Sequence, residues 1–181
     1  MEDVKVLNKR VRAQLRRLGV KLPRGEPDVS RVARKWHPLD YICSWYEGQD
    51  GEHAINVKAL GGMWLMRHEY GHYLVEKYDL AKQKSYKNTF KNGPLYAEGL
   101  GYDVGVVFLR ATDVVLRKGA KISPPKGHPT FYALLGGEEC FCECVALLLS
   151  NRCDYRKAAD GDMWLENRLI ITRLLLEQHC R

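Results

Sequence analysis

The chain has 181 residues, 45% of them apolar and 28% charged, with a formal net charge of +7. That length suits one domain with room for a buried core, and the composition excludes wholesale disorder. The longest apolar runs, such as residues 145–149, are too short to span a bilayer, and Met1-Glu-Asp-Val-Lys5 has no apolar leader core, so a cytoplasmic protein is expected.

Val4, Leu7, Val11, Leu15 and Leu18 recur at intervals of three and four, which predicts an amphipathic first helix ended by Gly19 and Pro23. Lys5, Lys9, Arg12, Arg16 and Arg17 fall largely off its apolar stripe. The whole charge excess lies here: residues 1–36 hold 11 Lys and Arg against 4 Asp and Glu, and the remainder holds 18 of each. Residues 1–36 are therefore read as a basic N-terminal helical segment and 37–181 as the principal domain. The basic face is either simply solvated or meets nucleic acid or an acidic partner.

Residues 23–36 read as a loop or a short second helix. Residues 41–46 and 53–60, rich in β-branched and aromatic side chains, flank Glu47-Gly-Gln-Asp-Gly51 and predict a hairpin. A helix follows from Met63 to about Tyr78, then a polar, exposed loop over 79–93. Pro94 opens another predicted helix reaching about Lys118, and further helices are expected over 138–151 and 162–178. The class is α+β, mostly helical, with a small hairpin before the helix that carries the main motif. Cys140, Cys142 and Cys144 stand two apart in one predicted helix and point away from one another in sequence, so buried thiols are expected rather than disulfides.

The informative stretch is His68-Glu69-Tyr70-Gly71-His72, a His-Glu-x-x-His pattern on the predicted 63–78 helix. Residues four apart share a helix face, so both imidazoles can meet one Zn²⁺, and Glu69 lies beside them as a general base. Gly71 admits a close neighbour. A third ligand is needed, and the places where a third His of the longer motif would stand hold Val75 and Tyr78. Glu139 and Glu143 stand one turn apart in an otherwise apolar helix, where paired carboxylates are costly to bury without a cation or donors. Glu139 is read as the ligand and Glu143 as acceptor of a free ring N–H of His68 or His72. Glu143 itself and Glu98 are the alternatives. Glu138 is read as a helix-start acid favoured by the dipole. Tyr132 and His128 are candidates to stabilise an oxyanion. His37, His53 and His179 read as structural or exposed.

His68-Glu-Tyr-Gly-His72 followed by Glu139-Cys-Phe-Cys-Glu143 resembles the gluzincin layout of zinc metallopeptidases, and is most similar to catalytic domains of the lethal-factor type. The resemblance implies a compact zincin-like domain with His68, His72 and Glu139 as zinc ligands, Glu69 as base and Glu143 as outer partner. It also implies a Tyr donor to the oxyanion, a place that Tyr132 fits. The expected activity is hydrolysis of a protein or peptide substrate by metal-activated water. The strand over 53–60 is expected to offer an open edge to the substrate. The other class is a zincin-fold module without catalysis, working through its basic first helix.

Overall fold

The computed structural model describes residues 3–31, 44–49, 52–57, 62–90 and 124–181. Helix α1 spans Val4–Arg17, capped by the Asp3 carboxylate, which accepts from the Lys5 N–H. Its predicted stripe is its buried face, with Val11 and Leu15 fully enclosed. Arg12 turns inward at its guanidinium and donates to the carbonyls of Glu26 and, at 2.8 Å, Pro23, so it ties the following loop to the helix.

Three strands follow: β1 (Asp28–Arg31), β2 (Ser44–Gln49) and β3 (Glu52–Val57). The sheet order is β1-β3-β2, with β1 parallel and β2 antiparallel to β3. Two expectations are corrected here. Residues 28–31 are a strand rather than loop or helix. Asp-Val-Ser-Arg has one apolar residue in four, so no periodicity marks it, and the β3 partner imposes the extended form. Second, β3 is not an open edge, because both its sides are paired. The hairpin itself forms, with strand running through Glu47–Gln49 where the turn was expected, because that stretch pairs back onto 52–54.

Helix α2 spans Met63–Lys77. Residues 79–93, expected as exposed loop, contain a short 3₁₀ turn at Leu80–Lys82 and helix α3 at Lys84–Phe90. The Lys-rich sequence hides a narrow apolar pair, Tyr86 and Phe90, one turn apart, and both rings pack 5.3 Å from that of Phe141. Beyond a 3₁₀ turn at Tyr132–Leu135 come α4 (Gly137–Ser150), α5 (Tyr155–Ala159) and α6 (Met163–His179). The predicted helix over 94–118 lies outside the described residues, as do Cys43, His37 and the 36/37 boundary.

Helix α4 is apolar on nearly every side, and the structure places it centrally, against α1, α2, α3, α5 and α6. One core cluster joins Leu7 and Leu15 of α1, Tyr70 and Leu74 of α2, and Phe141 and Leu148 of α4. The architecture is thus mostly helical with one small sheet. Cys140, Cys142 and Cys144 are free and buried. No helix among the described residues is long and apolar enough to cross a membrane.

Candidate metal centre

The site is made by two helices that touch at backbone distance. A Cβ on Gly71 would lie 2.7 Å from Cys142 Cα and 2.8 Å from its Sγ. Only a glycine lets α2 and α4 come this close. The contact sets His68 and His72 opposite the first turns of α4.

Each imidazole meets a carboxylate through Nδ1. His68 Nδ1 is 2.7 Å from Glu143 Oε1, and His72 Nδ1 is 2.7 Å from Glu138 Oε1. A carboxylate only accepts, so the proton of each neutral ring belongs on Nδ1 and the Nε2 lone pairs are left for another partner. Those two Nε2 atoms face each other at 3.2 Å. Glu139 Oε2 closes the triangle, 3.0 Å from His68 Nε2 and 3.5 Å from His72 Nε2. It is buried and makes no well-formed hydrogen bond.

That orphaned oxygen decides whether a metal fits. Tetrahedral zinc with bonds of about 2.0 Å holds its ligand atoms about 3.3 Å apart. The three observed separations, 3.0, 3.2 and 3.5 Å, bracket this edge. With both rings neutral, the state in which imidazole ligates a metal, the three atoms are all acceptors, and a cation between them would satisfy all three. The donor set, two imidazoles and a carboxylate, suits zinc and leaves a fourth direction open.

A sulfur donor also stands near. One nitrogen of each ring and Cys142 Sγ lie within 4.8 Å of one another. Burial pushes the Cys142 thiol up to about 12, so at neutral pH it is protonated, whereas only a thiolate ligates well.

The electrostatics follow from burial and pairing. Burial raises the Glu139 carboxyl, but His68 and His72 outweigh it and hold it below the usual carboxylate range. Glu143 is lowered in the same sense: burial opposes, and His68, Thr130 and Trp64 prevail. His68 is raised to about 9, against its own burial, by Glu139 and Glu143 and then by the charge of Glu69. Burial likewise lowers His72; the neutral Cys142 thiol adds no charge, so its net upward shift is assigned to Glu138 and Glu139.

No family model, no curated protein and no solved structure matches the chain. The functional reading therefore rests on the site's own geometry.

The structure brings His68, His72, Glu139 and Glu143 together, with Glu69 buried on the same helix as the two His. The buried Tyr132 ring stands edge-on to His68 at 5.4 Å. His128 sits beside Lys126 and Arg168 and is lowered by burial and then by the Arg168 charge. Glu98 lies outside the described residues. Three contributors escaped the sequence. Glu138, expected only as a helix-start acid, fixes His72. Trp64 Nε1 lies 3.2 Å from both oxygens of Glu143 and holds that carboxylate in turn. On β2, Tyr46 stacks 6.4 Å from the His72 ring while its hydroxyl donates to Glu76 at 2.9 Å.

Proposed function

We propose that the chain is a zinc-dependent metallopeptidase with a zincin-like core. The observation that carries this reading is the triangle of His68 Nε2, His72 Nε2 and the orphaned Glu139 Oε2. Bound there, zinc supplies Lewis acidity toward a peptide carbonyl and acidifies water. The chain's own residues do the rest. Glu143 and Glu138 hold the Nδ1 protons so that both rings present the same nitrogen. Glu69 takes the proton of the attacking water and delivers it to the leaving amine. Tyr132, beside His68, is the group assigned to the developing oxyanion. Since β3 is paired on both sides, β2 is the strand that would receive an extended peptide. Among the described residues its outer edge carries no strand, and Tyr46 links it to His72.

Glu69→Gln keeps the shape and removes the base. The expected outcome is zinc retained and peptide hydrolysis lowered by about 10²–10⁴-fold. Undiminished cleavage would remove Glu69 from the mechanism. Zinc held firmly by a wild-type chain that cleaves no member of a broad peptide library would favour the non-catalytic module.

A further inference from the structure

A cavity of about 270 Å³ opens at the C-terminal end of α4, about 15 Å along that helix from Glu139. Arg17 from α1, Arg152 from the turn after α4 and Arg173 from α6 line it, over a floor that includes Leu18 and Leu149. Arg17 and Arg152 are exposed, and neither has an acidic partner among the described residues. Arg173 pairs with Glu177 at 2.7 Å. Three arginines from three separate elements thus line one concavity, and among the described residues only Arg173 of the three has a carboxylate partner, a surplus that an anion would relieve.

The wall is built rather than incidental. Arg152 and Cys153 are consecutive non-glycine residues with φ of 56° and 67°. Hydrogen bonds from the Cys153 N–H to the Leu148 carbonyl (2.9 Å) and from the Asp154 N–H to that of Asn151 (3.0 Å) hold the turn. Gln14, also in the wall, bonds the Leu149 carbonyl at 3.4 Å and accepts from Arg67 Nε at 3.1 Å. Arg67 Nη1 reaches Ser150 Oγ at 2.6 Å. Helices α1, α2 and α4 are therefore fixed to one another behind the cavity.

We propose that this cavity binds a small phosphorylated anion, with Arg17, Arg152 and Arg173 gripping the phosphoryl oxygens. The planar guanidinium fork matches phosphate, and three forks suit a dianion better than a single carboxylate. The volume takes a phosphoryl group with a compact body, whose apolar part would rest on Leu18 and Leu149. None of the proposed metal ligands lines this cavity.

The test titrates the full chain with inorganic phosphate by calorimetry at fixed ionic strength, with chloride as control. A nucleoside monophosphate and a single-stranded oligonucleotide form the other arms. Phosphate and the monophosphate are expected to bind saturably and to compete with each other. Arg152→Gln and Arg17→Gln are each expected to weaken both by about tenfold, the loss of one charge-assisted contact, with the melting temperature unchanged. Zinc content should not change in either variant, so a failure here is separable from a failure of the metal centre. Phosphate binding no tighter than chloride, or undiminished in the double variant, would overturn the proposal. So would an oligonucleotide that binds far more tightly than phosphate through the same arginines, since the cavity would then be part of a nucleic-acid track.

Discussion

His68 and His72 differ in how they are held, and the difference is testable. Glu143 is buried and takes both the His68 ring proton and the Trp64 indole N–H. Glu138 is half exposed, so solvent screens its pairing with His72. Glu143→Gln should therefore weaken zinc binding by about 10–100-fold, and Glu138→Gln by less. Competition against a chromogenic chelator measures both, and equal losses would show that burial of the outer partner does not matter. The pattern of spacing made the pairing of His68 with His72 readable, because residues four apart must share a face. It did not make Glu138 or Trp64 readable. A first-turn acid satisfies a helix dipole equally well without any partner, and Trp64 fits an apolar helix position. Only the approach of α4 to α2 tells which neighbour each one meets.

The approach of those two helices turns on Gly71. In an unencumbered helix, replacing Gly by Ala stabilises by about 1 kcal/mol. Here the new methyl would meet Cys142 backbone at 2.7 Å, and backbone cannot rotate away. Overpacking costs about 1–3 kcal/mol, so Gly71→Ala should be net destabilising and should also loosen zinc by parting the helices. Urea unfolding reads the sign directly; a stabilised variant would mean that the helices part without penalty. At this scale α1 and α6 were legible from apolar residues at helical spacing and α4 from its nearly all-round apolar surface, while α2 was legible from its His-Glu-x-x-His spacing together with Trp64, Leu65, Leu74 and Val75. The elements missed are β1, α3 and the short α5; β1 and α3 have one and two apolar residues respectively and take their form from partners, β3 for the strand and Phe141 for the helix. The same blindness to pairing made β3 read as an edge.

Across the whole molecule, the proposed metal centre lies between the two helices that make the most extensive contact among the described elements, α2 and α4. A ligand that binds only the folded state stabilises it by mass action, about 4 kcal/mol at a thousandfold excess over Kd. For a chain of this size that is a rise in Tm of about 10 °C. Thermal melts with zinc and with a chelator should differ by that order, and Glu139→Gln should abolish the difference. Coincident melts for the wild-type chain would place the metal, if bound, away from the core. The fold class was readable from the order of apolar patterns. The convergence of Glu139 on both imidazoles was open to argument only as chemistry, because nothing local in the sequence sets the distance between residues 72 and 139.

Glu139 and Cys142 stand one turn apart on α4 and offer zinc an oxygen or a sulfur. X-ray absorption at the zinc edge separates them, since oxygen and nitrogen ligands lie at about 2.0 Å and sulfur at about 2.3 Å. Zinc-loaded wild type and Cys142→Ala should give the same nitrogen–oxygen shell with two imidazoles. A sulfur shell that vanishes in Cys142→Ala, or a chain that takes up no zinc at all, would contradict the assigned centre.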